Sequence, residues 1–272
     1  MVQFTVLGTL EISDDGRAVL CTAPKLRQVL SLLLVRANQL VQVESVIREL
    51  WGDAPPKSAS ATVQTYIYQL RKRLRAELGA AEGQMLCTQP FGYQLRLAPE
   101  RLDVCLFEQY ADEGRRLLEE DRAADAALRL RQALALWRGP FLADVTRGPL
   151  LNAHAVHLQE QRMRTLEMRI QADMRLGRNR ELIGELRSLV ALYPLDEWFH
   201  AQLIEVLQRS GRRGEALESY HHLRRLLRAE LGLDPSPELQ ILLQRILSPL
   251  PSGILSSHRP AALQLVNGRP RP

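Results

Sequence analysis

The sequence predicts a mainly α protein with small β-sheets, built in two parts. Three observations carry that prediction. The opening residues alternate apolar and polar and are rich in β-branched side chains. Three helical stripes follow, closed by a hairpin pattern. After Pro99 the chain is almost wholly helical, with Gly177 and Gly211 recurring 34 residues apart. At roughly 100–200 residues per domain, the 272 residues accommodate one or two domains.

Val2 to Gly8 predicts a strand, which Leu10-Glu11-Ile12 continues. Asp14-Asp15-Gly16 supplies a turn, and Arg17 to Leu20 returns as a second strand. A helix follows, with Thr22 as its cap and Pro24 in its first turn. Leu26, Val29, Leu30, Leu33 and Leu34 form its apolar stripe, and Gln39-Leu40 ends it. A second helix runs from Val43 to Leu50 with Val46, Ile47 and Leu50 inward. Trp51-Gly52 stops it, and Pro55-Pro56 forbids continuation.

The third helix starts near Ser58 or Ser60, either a suitable cap. Val63, Ile67, Leu70 and Leu74 face the core, which turns Thr62, Thr65, Tyr66, Gln69, Lys72 and Arg73 outward. Glutamine pairs bidentately with adenine, threonine offers a hydroxyl and a methyl, and Arg and Lys bind phosphate or guanine. Arg71 and Arg75 lie toward the flank, where phosphates would run. Met85 to Thr88 and Tyr93 to Leu97 predict two strands joined by the turn Gln89-Pro90-Phe91-Gly92. Three helices and a hairpin make a winged helix-turn-helix, which places its third helix in the major groove and its wing at the neighbouring minor groove or backbone.

The charge distribution agrees. The net charge of +5 divides into +3 for residues 1–98, −1 for residues 99–248 and +3 for residues 249–272. From Lys57 to Arg75 there are five basic residues and no acid. Such asymmetry suggests an anionic partner, although from charge alone a solvated helix face is the commoner explanation.

The predicted domains are 1–98, the winged helix, and 99–247, an all-α tetratricopeptide-like repeat domain. Residues 248–272, rich in Pro and Ser, are predicted to have no fixed fold. In the repeat domain Glu181 and Glu215, like Leu189 and Leu223, are also 34 residues apart, the tetratricopeptide period. Leu203, Val206 and Leu207 precede the second turn; Leu217, Tyr220 and Leu223 follow it. An earlier pair, Phe107–Leu118 and Ala123–Trp137, has the same style and is set off by the breaks at Arg138–Phe141 and Gly148-Pro149. Stacked pairs bury a continuous core and form a concave surface for another protein.

The leading strand MVQFTVLGTLEI, the segment LVQVESVIRELWGDAPPKSASATVQTYIYQLRKRLR and the wing QPFGYQL resemble the Streptomyces antibiotic regulatory protein family. The DNA-binding domain of that family is similar to the output domains of two-component response regulators. ELWGDAPP followed by TVQTYIYQLRKRL is specific as a pair. LDVCLFEQYADEGRRLL, ALALWRGPFLADV and the stretch from LYPLDEWFHAQ to LLQRIL resemble the bacterial transcriptional activation domain of the same regulators, so the likeness covers roughly residues 1–247. It implies a cytoplasmic, nucleoid-associated activator of a secondary-metabolite (antibiotic) biosynthetic gene cluster. Such an activator binds double-stranded promoter DNA at direct repeats, two copies side by side about one helical turn apart. It recruits RNA polymerase holoenzyme through the sigma factor and neighbouring subunits. By the same resemblance Thr65 and Gln69 read bases, and Thr62, Tyr66, Arg71, Lys72 and Arg73 contact phosphates. Where members often carry Arg before the wing proline, this chain has Gln89 before Pro90; Thr88 and Gln89 remain hydrogen-bonding candidates.

Other classes find little support. The most apolar stretch, Val29–Val35, is broken by Ser31, whereas a membrane span needs about 20 apolar residues. No basic-then-apolar leader follows Met1. Three scattered cysteines, Cys21, Cys87 and Cys105, suit reduced thiols in a cytosol. His154 and His157 share a helix face without a third ligand, so no metal or cofactor is expected. His221 and His222 point different ways, and Glu119-Glu120 and Asp196-Glu197 suit capping or solvent. Trp51, Trp137 and Trp198 suit packing. No phosphate-binding glycine loop ending in Lys-Ser/Thr and no Gly-x-Ser-x-Gly elbow occurs, so no enzyme is expected. The alternatives to an activator are a tetratricopeptide interaction scaffold and a repressor using the same DNA contacts.

Overall fold

The computed structural model describes residues 2–14, 17–19, 23–79 and 84–248. Thr22, Cys21, most of the first predicted hairpin turn and the tail after Ser248 lie outside them. The described residues hold ten α-helices and two three-stranded antiparallel sheets.

The first sheet orders β1 (Val2–Thr5), β2 (Glu11–Asp14) and β3 (Arg17–Val19) in sequence, with Phe4 opposite Ile12. It has one strand more than the sequence predicts. Leu10–Ile12 does not extend the opening strand, because the chain reverses between Thr5 and Glu11 and pairs back on itself.

Helix α1 (Pro24–Val35) buries all five stripe residues. Ala23 stands at its N-cap position, and no side chain caps it. It ends four residues before the predicted stop, because Asn38 takes a left-handed conformation (φ 64°). The Asn38 side chain then donates to the Leu97 carbonyl at 2.7 Å and accepts from the Leu97 N–H at 3.0 Å. Strand β4 (Val41–Gln42) and helix α2 (Val43–Trp51) come next, with Val46 and Leu50 buried and Ile47 half-buried. Helix α3 (Ala59–Leu78) buries Val63, Ile67, Leu70 and Leu74 as its 4-3-4 spacing requires. Ser58 occupies the N-cap position without a capping side-chain bond; its carbonyl instead accepts from the Thr62 hydroxyl at 3.0 Å. Strands β5 (Leu86–Gln89) and β6 (Gly92–Leu95) form the wing, and β4 pairs with β6 in the order β4-β6-β5.

A single 3₁₀ turn (Pro99–Arg101) leads into α4 (Asp103–Glu119), α5 (Ala123–Ala135) and α6 (Pro149–Arg175). The chain divides into two compact units, one ending at Arg178 and one beginning at Asn179. The first unit therefore holds the winged helix together with α4, α5 and α6. One apolar core runs through it, joining Leu30, Ile67 and Leu95 to Phe107, Trp137, Phe141, Leu151 and Leu158. The Trp137 ring meets Phe107 edge-on, with centroids 5.5 Å apart.

Carboxylates fasten this join, two of them buried. Asp103 accepts the Val6 and Leu7 N–H groups at 2.9 Å. Burial pushes its carboxyl above the ordinary range, against the pull of those N–H groups and of Arg138. Glu49, only 2% exposed, reaches from α2 to the start of α6. There it accepts from the N–H groups of Gly148 (2.5 Å), Leu150 (2.8 Å) and Leu151 (3.1 Å). The first N–H groups of a helix have no intrahelical partner, so Glu49 caps α6 from another element. Asp144 accepts the Leu10 N–H and pairs with Arg27.

The second unit comprises α7 (Asn179–Leu192), α8 (Glu197–Arg209), α9 (Arg213–Glu230) and α10 (Pro237–Leu247). Asp196 caps α8, its Oδ1 accepting from Trp198 N at 3.0 Å and Phe199 N at 3.3 Å. Glu197 Oε2 accepts from Ser236 N at 2.7 Å. Leu203, Val206, Leu207, Tyr220 and Leu223 are buried as expected, but Ala216 rather than Leu217 takes the inward position after the turn.

The repeat shows in the turns. Gly177 and Gly211 have φ of 74° and 79°, a left-handed conformation that glycine adopts without steric cost. Gly177 N donates to Met174 O and Arg178 N to Asp173 O; Gly211 N donates to Gln208 O and Arg212 N to Leu207 O. A third copy closes the hairpin between α4 and α5. There Asp121 (φ 57°) donates to Leu118 O and Arg122 N to Leu117 O. The three helix-turn-helix units thus share one turn, although only the last two share the 34-residue spacing.

Candidate nucleic-acid interface

Helix α3 is positioned by its buried seam, so its opposite face is free. Thr65, Gln69, Lys72, Arg73 and Arg75 are exposed on it, with Gln64 and Tyr68 beside them. Among the described residues no ion pair neutralises Lys72, Arg73 or Arg75. The Thr65 hydroxyl donates to Ala61 O at 3.0 Å, which leaves its oxygen as an acceptor. Thr62 is half-buried, its hydroxyl bound to Ser58 O.

Four of the expected residues stand differently. Tyr66 is half-buried and packs against the apolar core. Arg71 and Thr88 are bonded to each other at the surface: Arg71 Nη2 donates to Thr88 Oγ1 at 2.8 Å, and its Nε donates to Leu86 O at 2.8 Å. This guanidinium braces the wing strand β5 against α3 and so sets the angle between them. Gln89 is half-buried and donates from Nε2 to Gln94 Oε1 at 3.2 Å, across the wing.

Two exposed aromatics, Tyr68 and Phe91, lie outside the contacts expected from the sequence. Tyr68 is 66% exposed in the middle of the outward face. The helical wheel would have found it: at about 100° per residue, Tyr68 points away from the Val63–Leu74 seam, whereas Tyr66 points toward it. Phe91, at the tip of the wing, is 83% exposed. The wing is clamped in place, since Val43 N donates to Phe91 O at 3.1 Å and Gln94 Nε2 donates to Asn38 O at 2.9 Å.

An apolar-seamed helix with a hydroxyl, amide and cationic outer face, braced to a rigid hairpin and fused to helical pairs, is the architecture of a two-part DNA-binding regulator. Comparison with known proteins agrees. Residues 17–95 match the family described as transcriptional regulatory protein, C terminal. Residues 102–247 match the bacterial transcriptional activator domain. The chain belongs to the Streptomyces antibiotic regulatory protein family of transcriptional regulators.

It is 42% identical over 250 residues to the regulatory protein DnrI of Streptomyces peucetius, covering 90% of this chain and 92% of that one. It is 37% identical over 252 residues to the regulatory protein AfsR of Streptomyces coelicolor, covering 92% of this chain but only 25% of AfsR. Among solved structures it resembles Mycobacterium tuberculosis EmbR, determined with a low-affinity phosphopeptide. The TM-score is 0.85 at 32% identity, over 92% of this chain and 66% of EmbR.

Among the described residues no helix is long and apolar enough to cross a membrane, and no three His, Cys, Asp or Glu side chains are grouped to hold a metal ion. His154 and His157 lie with ring centroids 6.4 Å apart; burial, then His157 and Arg36, hold His154 down at a pKa of about 4.

Proposed function

We propose that the chain is a sequence-specific activator of a secondary-metabolite gene cluster, acting in the cytoplasm on promoter DNA. The observation that carries this reading is the outer face of α3: Thr65 and Gln69 exposed between cations that have no acidic partner among the described residues. Thr65 and Gln69 read base edges in the major groove. Lys72, Arg73 and Arg75 neutralise phosphates, and Thr62 adds a polar contact. Two copies side by side on direct repeats present their helical units to the RNA polymerase holoenzyme, at the sigma factor and neighbouring subunits. The boundaries we assign are 1–98 for DNA binding and 99–247 for the activation domain. The match of residues 102–247 to the bacterial transcriptional activator domain supports activation.

Two assays test the proposal together. A gel shift across the promoters of the neighbouring genes is expected to show binding that weakens steeply with salt. Transcription in vitro is expected to rise when the protein is added. A shift with reduced transcript would make the protein a repressor on the same DNA contacts. No salt-dependent shift would leave a protein-docking scaffold.

A further inference from the structure

We infer that Phe91 is an apolar wedge, which the wing presses between base pairs in the DNA minor groove beside the site occupied by α3. The inference rests on the DNA-binding reading and deepens it. Phe91 is the most exposed large apolar side chain among the described residues, at 83%. It also holds φ at 66°, a left-handed conformation that bulky L side chains rarely adopt. Burial explains neither fact, and glycine would serve the turn better. Strain combined with exposure at a rigid tip points to a task outside the fold.

The tip is rigid because its backbone is held on both sides. Val43 N donates to Phe91 O at 3.1 Å. The next residue, Gly92, lies so close to β4 that an added Cβ would meet Val41 O at 2.2 Å. The backbone at the tip is therefore fixed while nothing covers the ring.

Its position suits DNA. Thr88 is bound to Arg71 on α3, and Phe91 sits just beyond it, in the two-residue turn that closes the hairpin between Gln89 and Gly92. A wing beside a helix seated in the major groove meets the neighbouring minor groove, and Phe91 is at the tip of that wing. The tip residues Gln89, Pro90 and Phe91 carry no cation to bind phosphate. A phenylalanine inserted at a minor-groove step unstacks it and bends the duplex, and flexible pyrimidine–purine steps yield most readily.

Phe91→Gly separates the wedge from the fold, since glycine accepts the backbone conformation. The full chain is compared with this variant on an operator duplex carrying 2-aminopurine at each step flanking the α3 footprint. We expect the native protein to brighten the probe at one step. We expect Phe91→Gly to melt at the same temperature or higher, bind about tenfold more weakly and leave the probe dim. Equal affinity and equal brightening would overturn the wedge alone. Unchanged DNA binding with a lost transcript would also overturn it, placing the ring on a protein. A native chain that binds no duplex would overturn the DNA reading and the wedge together.

Discussion

Replacing Glu49 by alanine removes a carboxylate that lies 2% exposed between α2 and the first turn of α6. Three backbone N–H groups lose their acceptor at once, and a buried donor left unpaired costs about 1–3 kcal/mol. The groups are adjacent and water can reach some of them, so the costs do not add fully. The expected loss is about 3–5 kcal/mol, comparable with breaking a buried charged pair. Glu49→Gln retains the shape but turns an amide donor toward one N–H, so about half that loss is expected. Against a domain stability of about 5–15 kcal/mol, either change is large. The assay is urea unfolding of the full chain, followed by tryptophan fluorescence from Trp51 and Trp137 in the first unit and by DNA binding at each urea concentration. Because one core and one set of carboxylates hold the winged helix and α4–α6 together, both signals are expected to move to lower urea in step. A loss below about 1 kcal/mol, or DNA binding that persists after the Trp137 signal is lost, would refute the reasoning.

Three further outcomes follow from other sites. Gly92→Ala places a Cβ 2.2 Å from Val41 O, so β4 and β6 must separate; a loss of about 2–4 kcal/mol is expected in thermal unfolding, and an unchanged midpoint would refute the tight approach. His154 titrates near pH 4 in the fold against an ordinary 6.5. Its folded value is depressed, so the stability it contributes is present above pH 6.5 and lost as pH falls from 6.5 toward 4. Screening by solvent at this partly exposed ring limits the change to about 1–2 kcal/mol, which His154→Leu should abolish in unfolding curves at pH 5 and 7. Arg73→Ala should lower the slope of log affinity against log salt by about 1, whereas Arg71→Ala should weaken specific binding through a loosened wing and leave the slope nearly unchanged; equal slope changes would make Arg71 a phosphate contact after all.

The local periodicities were legible in the sequence. The seam of α3 was, because Val63, Ile67, Leu70 and Leu74 need only the helical period to find one another, and the Gly177 and Gly211 turns were, because glycine marks a left-handed turn. The third turn was hidden, since Asp121 rather than glycine occupies it. The join between winged helix and helical pairs was invisible. Asp103 meets Val6 and Glu49 meets Gly148 across 97 and 99 residues, and an isolated acid carries no sign of a distant N–H partner. For the same reason Arg71, which looked like a phosphate contact by residue type, is bonded to Leu86 and Thr88. Tyr68 is legible on a helical wheel, which turns it further from the buried seam than Tyr66. No periodicity shows how exposed the Phe91 ring is on a tight turn.

The most direct test of the central claim, that the outer face of α3 reads promoter sequence, is a footprint and affinity titration of Gln69→Ala beside the native chain on one promoter. The native chain is expected to protect two adjacent repeats. Gln69→Ala is expected to bind them about 1–3 kcal/mol more weakly, with base preference relaxed at one position per repeat and affinity for unrelated duplex unchanged. An identical footprint at identical affinity would contradict the assignment of α3 as the reading helix.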